Sequence, residues 1–295
     1  METDKWFPQV GGACDKSQTA RATLYCLGHA GGTPADFAAW DAQHASPALR
    51  VRPVCLPGRP PRHHELCPTS ITAAATAIAA AIERDITAAA PSHALVLYGE
   101  SYGALLAFET ARRLSASTAA RLAAVVVVAS RAPPSTPSAP DDSQRFSRIA
   151  DDSAFINAVA RAYGDPLLAR VATASGDSAA PLVARLRADL GAYEAYTGAT
   201  VRLACPVLAC RGRDDPATTA ADMVAWACDF GAAGSAMRTY EGGHFFARDA
   251  VVAHTLVSDI EAFVGQCTAK VLVPTAATRQ HDKKEDEEEE MLMCF

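Results

Sequence analysis

The stretch Ala94-Leu95-Val96-Leu97-Tyr98-Gly99-Glu100-Ser101-Tyr102-Gly103-Ala104-Leu105-Leu106-Ala107-Phe108-Glu109 carries the reading of the fold. Its first five residues form a short, continuous apolar run, as expected of a parallel strand covered on both faces. Its last six residues are good helix formers. Between them lies Gly-x-Ser-x-Gly, a pattern that chance alone supplies in about one chain in ten of this length. The strand before it and the helix after it make it specific, because a nucleophile elbow requires that setting. The two glycines remove side chains where strand and helix crowd together, so the turn lifts the Ser101 hydroxyl into a cleft. The helix N-terminus behind it offers backbone N–H donors and a dipole that favours developing negative charge.

Outward from this turn, β-rich runs alternate with Ala-rich helical stretches. Strands are expected over 23–27, 50–56, 94–98, 123–129, 206–210 and 237–240, and helices over 71–86, 104–114, 220–228 and 250–264. The run Val125-Val126-Val127-Val128 again reads as a strand buried on both faces. This alternation predicts an α/β fold with a mostly parallel, doubly wound sheet, and no internal repeat interrupts it. One segment breaks the rhythm. Ala132-Pro133-Pro134-Ser135-Thr136-Pro137-Ser138-Ala139-Pro140 continues neither strand nor helix. From 141 to about 197 the pattern is wholly helical, with apolar positions at Phe155, Ile156, Val159, Leu167, Leu168, Val183, Leu186, Leu190 and Tyr193. Open sheets bind ligands at the carboxyl ends of their strands, so this inserted block reads as a lid over those ends.

Composition bounds the function. With 295 residues, 49% of them hydrophobic and 20% charged, the chain is long enough to bury a substantial core and is neither disordered nor fibrous. No charge-free apolar run reaches the ~18 residues of a membrane helix. The net charge of −6 is uneven: residues 280–295 hold seven acidic and two basic side chains, leaving 26 acidic and 25 basic in the rest. A body of net charge −1 has no basic stripe for nucleic acid. Residues 1–275 are expected to form a single domain and 276–295 a disordered, solubilising acidic tail. The N-terminus lacks a signal-peptide pattern, and nine scattered cysteines fit a reducing, cytoplasmic compartment. Cys26, Cys55, Cys205 and Cys210 fall in apolar runs where thiols pack as small hydrophobes. No Cys/His spacing suits a metal, the isolated pair His63-His64 included.

A serine hydroxyl needs a base to take its proton and an acid to orient that base. Downstream of Ser101 only His244 and His254 precede the tail. His244 sits in the glycine loop Glu241-Gly242-Gly243-His244-Phe245-Phe246 after the last strand, whereas His254 lies in a helical stretch and reads as a partly buried structural residue. His244 is the expected base. The acid is expected in Arg211-Gly212-Arg213-Asp214-Asp215-Pro216, with Asp215 before the proline favoured and Asp214 the alternative. One oxyanion donor should be the Tyr102 backbone N–H. The other should come from the glycine-rich turn Gly28-His29-Ala30-Gly31-Gly32 after the first strand, with His29 stabilising that loop.

Taken together, these residues resemble the type II thioesterases that act beside polyketide, nonribosomal-peptide and fatty-acid synthases. The resemblance runs from about Trp6 to about Val264. It rests on Gly28-His29-Ala30-Gly31-Gly32, Leu56-Pro57-Gly58-Arg59 with Arg62, and Gly99-Glu100-Ser101-Tyr102-Gly103 with the helix after it. It continues through Cys205-Pro206-Val207, Asp214-Asp215-Pro216 and Gly242-Gly243-His244-Phe245-Phe246. It implies an α/β-hydrolase fold with a helical lid and hydrolysis of acyl thioesters from the phosphopantetheine arm of acyl or peptidyl carrier proteins, releasing or editing chains. It further implies a triad of Ser101, Asp215 and His244, oxyanion donors at Ala30 and Tyr102, no cofactor beyond the phosphopantetheine on the substrate, and a monomer that binds neither nucleic acid nor membrane. The family usually has His before the nucleophile and Met after it, where this chain has Glu100 and Tyr102. That departure bears on the substrate rather than on the nucleophile. A small-molecule carboxylesterase or lipase with the same triad, a non-catalytic binding protein of the same fold, and a carrier-docking protein whose hydrolysis is secondary are the competing readings. Because the tail lies outside every matched motif, deleting residues 280–295 is expected to leave the rate of thioester hydrolysis unchanged in a steady-state assay.

Overall fold

Strands and helices follow one another as β1 (Ala22–Leu27), α1 (Ala38–Gln43), β2 (Leu49–Pro53), α2 (Ile71–Ile86), β3 (Ala94–Glu100), α3 (Tyr102–Ala111), the single turn α4 (Ala116–Ala119) and β4 (Leu122–Val128). Three helices then intervene, α5 (Asp152–Tyr163), α6 (Pro166–Thr173) and α7 (Ala180–Glu194), before β5 (Val207–Gly212), α8 (Ala220–Ala225), β6 (Ala236–Tyr240) and α9 (Ala250–Val271). This computed structural model describes residues 5–9, 20–43, 48–87, 89–133, 145–173, 179–198 and 201–271. The expected acidic tail at 276–295 and the start of the helical block at 141–144 lie outside them.

The six strands form one sheet in the order β2-β1-β3-β4-β5-β6, and every adjacent pair is parallel. The apolar runs explain why. Side chains alternate between the faces of a strand, so a run without polar residues needs cover on both sides. Leu95, Leu97, Val125, Val127 and Val207 pack with α2 and α3 on one face. Val96, Tyr98, Val126, Val128 and Leu208 pack with Phe37, Trp40 and α9 on the other. All ten are fully buried. The inserted helices keep an apolar cluster of their own, built from Phe155, Ile156, Val159, Leu168, Val183, Leu186 and Leu190.

All six expected strands and all four expected helices are present, α2 with the expected ends and the others with shifted ones. β3 runs to Glu100 and α3 starts at Tyr102, so the turn between them shrinks to Ser101 alone. β2 stops at Pro53 rather than at residue 56. Its continuation turns aside, Val54 N–H donating to the Cys26 carbonyl and Cys55 N–H to the Trp6 carbonyl. The helix expected over 220–228 loosens into a π turn over Trp226–Phe230, which lets the Trp226 and Phe230 rings reach Phe108 at 5.5 and 5.4 Å between centroids. Leu167 departs from its expected core position and is 58% exposed. His254 is exposed rather than partly buried, because the core-facing side of α9 is taken by Ala253, Leu256, Val257 and Ile260.

Cys26, Cys55, Cys205 and Cys210 are buried thiols, and burial pushes Cys205 and Cys210 up to about 12. Among the described residues no helix is long and apolar enough to cross a membrane.

Phe108 is fully buried and Leu66 is 92% exposed. Phe108→Ala is therefore expected to lower the unfolding free energy by about 3–5 kcal/mol. Leu66→Ala should change it by no more than about 0.5 kcal/mol, both read from urea denaturation.

Candidate active site

The end of β3 lies in the middle of the sheet, and the backbone there makes an unusual turn. Ser101 has φ 53° and ψ −114°, the left-handed region that costs a side-chain-bearing residue free energy and clusters at functional sites. Two close approaches hold it there. A Cβ on Gly99 would lie 2.1 Å from the Gly103 carbonyl oxygen, and a Cβ on Gly103 would lie 2.2 Å from that of Leu27. Only glycine fits at either place, so strand, turn and the end of β1 pack backbone to backbone. Ser101 N–H donates to the Val128 carbonyl at 2.8 Å, tying the turn to the neighbouring strand. The hydroxyl is thereby aimed away from the sheet.

Two further strand ends complete the arrangement. The turn after β5 brings Asp215, and the loop after β6 brings His244. A Cβ on Gly212 would fall 2.2 Å from the Gly243 carbonyl oxygen, so these two loops touch through their backbones. His244 Nδ1 lies 3.1 and 3.0 Å from the two Asp215 carboxylate oxygens, and its Nε2 lies 3.0 Å from Ser101 Oγ. A carboxylate only accepts, so Nδ1–H donates to Asp215 and the Ser101 hydroxyl donates to Nε2. His244 is 3% exposed and Asp215 6%. Asp214 is exposed, its N–H donating to the Gly242 carbonyl at 2.9 Å. Of the two adjacent aspartates, Asp215 is thus the one that meets the histidine.

Asp215 has more partners than sequence reasoning assigned it. Thr218 Oγ1–H donates to Oδ2 at 2.5 Å and Ala217 N–H to Oδ1 at 2.8 Å. Burial pushes this carboxyl up, but the bonds from His244, Thr218 and Ala217 outweigh it and hold the group below its ordinary value. The Asp-x-x-Thr spacing was the available signal for Thr218. The imidazole is also packed between rings: Tyr163 of α5 at 4.7 Å and Phe245 at 4.9 Å between centroids. Tyr163 gave no signal, since it belongs to the inserted block and its approach to His244 depends on how that block folds back over the strand ends.

Of the expected oxyanion donors, Tyr102 opens α3, where the leading N–H groups of a helix have no acceptor within it. Ala30 is half-buried and lines the same cavity as Ser101 and His244. His29 braces its loop, its Nδ1 2.9 Å from the Ala30 carbonyl. The cavity measures about 650 Å³ and runs from these residues beneath the inserted helices, where Val159, Leu168, Leu182 and Leu186 make it apolar. Glu100 also lines it. That side chain is 6% exposed, and its Oε1 has no hydrogen-bond partner among the described residues. No group of three or more His, Cys, Asp or Glu side chains among the described residues is placed to hold a metal.

Comparison with known proteins gives the family and the fold. The family profile described as "Thioesterase domain" matches residues 22–264. Thioesterase PikA5 of Streptomyces venezuelae is 31% identical over 246 residues, covering 80% of this chain and 79% of its own. Among solved structures, the RedJ thioesterase from the prodiginine biosynthetic pathway of Streptomyces coelicolor superposes with a TM-score of 0.71 at 29% identity, covering 87% of this chain and 89% of that one. The type II thioesterase BorB from the borrelidin biosynthetic cluster gives 0.65 at 28% identity, covering 88% and 98%.

Since the folded Asp215 value lies below the unfolded carboxylate's ~3.9, its ionisation adds stability that is fully present above about pH 4 and is lost as pH falls through the lowered value. The melting temperature of Asp215→Asn is expected to lie below wild type near neutral pH and to approach it as the medium is acidified below about pH 4. A gap that stays constant under the same acidification would contradict this.

Proposed function

Because this chain belongs to the thioesterase domain family and is a thioester hydrolase, we propose that it is a type II thioesterase that frees acyl groups from the phosphopantetheine arm of carrier proteins in polyketide or nonribosomal-peptide synthesis. One observation carries the chemical part of the reading: a continuous hydrogen-bonded chain from Asp215 through His244 to Ser101 opens onto an apolar cavity large enough for an acyl group. The synthase setting is supported by relatives whose names place them in the prodiginine and borrelidin pathways.

The steps follow from the geometry. His244 Nε2 takes the Ser101 proton as the oxygen attacks the thioester carbonyl. The Ala30 and Tyr102 N–H groups receive the charge that develops on the carbonyl oxygen, and removing one such donor typically costs about 100- to 1,000-fold in rate. The carbon–sulfur bond breaks, and the departing sulfur takes the proton held on His244 Nε2 and leaves as the thiol, restoring the neutral imidazole. With a thiol pKa of ~8.5, that departure needs less help from an acid than an alkoxide's would. A water molecule then gives a proton to His244 and attacks the acyl-serine, releasing the free acid and the Ser101 hydroxyl. Asp215 holds the imidazole in the tautomer with Nδ1–H and stabilises its charged form. The chemistry draws on side chains and backbone alone, and the phosphopantetheine belongs to the substrate.

Ser101→Ala is expected to keep its fold by circular dichroism and to lose at least about 10⁴-fold in kcat on an acyl-carrier-protein thioester. Full activity in that variant would sink the assignment of the nucleophile. A wild-type kcat/KM higher on p-nitrophenyl esters than on carrier-bound thioesters would favour a small-molecule esterase instead.

A further inference from the structure

Four polar contacts join α7, Arg59 and the loop after β1, two of them directly between α7 and that loop. Gly31 N–H donates to Asp189 Oδ2 at 2.7 Å, across 158 residues of chain. Arg59, from the segment after β2, donates through Nη2 to the same Oδ2. Its Nε lies 3.4 Å from the Gly32 carbonyl oxygen. Arg185 Nε lies 3.3 Å from the Gly31 carbonyl oxygen. Asp189 and Arg185 both belong to α7. Asp189 is 0% exposed and Arg59 1%.

We propose that Asp189 and Arg59 are positioning residues that set the Gly28–Gly32 loop, and with it the Ala30 N–H, for receiving the oxyanion. The proposal rests on the role given to Ala30 above.

Three observations favour this over a purely structural ion pair. A buried pair placed for stability alone is weak in that office, because desolvation of two charges consumes most of the attraction between them. Second, Asp189 spends one oxygen on both Gly31 and Arg59 while Oδ1 has no hydrogen-bond partner among the described residues. A carboxylate placed for stability would have both oxygens served. Third, the charge is held in place: burial works against the Arg59 guanidinium, but Asp189 beside it more than offsets this and lifts Arg59 above its ordinary value. Burial pushes the Asp189 carboxyl up while Arg59 and the Gly31 N–H pull it down, so what fixes this acceptor is the convergence of those two donors on one oxygen. The next peptide group before Gly31 is the one that carries Ala30 N–H, so a shift of the Gly31 amide moves the donor directly.

The same helix also reaches the acyl cavity. Leu182 and Leu186 line it, and Leu186 packs so closely on the loop that a Cβ on Gly31 would come within 3.0 Å of it. The helix that borders the acyl chain is thus the helix that holds the oxyanion loop, which places the loop's geometry under the influence of how the acyl group seats.

Two paired variants separate positioning from charge. Arg59→Met with Asp189→Leu removes the ion pair and the acceptor for Gly31. Arg59→Gln with Asp189→Asn removes the charges but keeps a carbonyl oxygen facing Gly31 N–H. Misplacement of a reacting group by about 1 Å can cost on the order of 100-fold. The Met/Leu pair is therefore expected to lose about 10- to 100-fold in kcat with KM within about threefold. Its Ki for an alkyl boronic acid, which forms a tetrahedral adduct on Ser101, should rise by the same factor. The Gln/Asn pair should recover most of both. A folded Met/Leu pair with wild-type kcat, a loss confined to KM, or a Gln/Asn pair as impaired as Met/Leu would each overturn the proposal. If Met/Leu shows no cooperative melt, Asp189→Asn alone decides by the same readouts, a kcat loss at unchanged KM supporting it and an unchanged kcat overturning it. Boronate affinity needs no turnover. A wild type inert towards thioesters would thus count against the function proposed above, while the Ki contrast still decides the role of Asp189.

Discussion

The direction of the strands governs everything built on them. All six run parallel, so every loop that leaves the carboxyl end of a strand leaves on the same rim of the sheet. Ser101 follows β3, Asp215 follows β5, His244 follows β6 and the Gly28–Gly32 loop follows β1. Residues up to 143 positions apart, as Ser101 and His244 are, meet within 3.0 Å because of this shared rim. Parallel pairing in turn requires crossover helices on both faces, which is why the strands are apolar on both sides and why the polar chemistry is displaced to their ends.

The inserted helices then close the rim, and they are fastened to it at two places. Asp189 reaches Gly31 on one side. On the other, Asp165 caps α6 through Leu167 and Leu168 N–H and accepts from Arg248 Nη1 at 3.1 Å, four residues beyond His244. Arg248 also lies 3.7 Å over the Phe245 ring that packs on the imidazole. The acyl cavity is therefore bounded by a block whose seat is registered against both the oxyanion loop and the histidine loop. Polar contacts do that registering, and the apolar cluster of α5–α7 supplies the bulk.

Most of the sheet was legible in the sequence because short apolar runs between glycines and Ala-rich helices leave few other solutions. The elbow was legible for the same reason: Gly99 and Gly103 mark the two points where backbones touch. What local pattern does not carry is contact across long separations. Thr218 had a spacing that could have revealed it, but Tyr163 against His244 and Asp189 against Gly31 depend on how a 50-residue block folds back. Arg59 stands in a motif whose local pattern does not disclose its partner, Asp189. Leu167 and His254 depart from their expected burial because helical periodicity ranks residues by type, while burial depends on which side of the helix finds a neighbour. The choice between Asp214 and Asp215 was a matter of one residue of turn geometry, decided by the contact between Gly212 and Gly243.

The central claim is that one serine, activated by the residues of two other strand ends, does the chemistry. Labelling the enzyme with a fluorophosphonate and mapping the adduct by peptide mass spectrometry tests it most directly, with residual thioester hydrolysis read on the same sample. The account predicts one phosphonyl group per chain, on the peptide containing Ser101, with hydrolysis lost in proportion to labelling. Labelling at another residue, or full hydrolysis by a fully labelled enzyme, would contradict it.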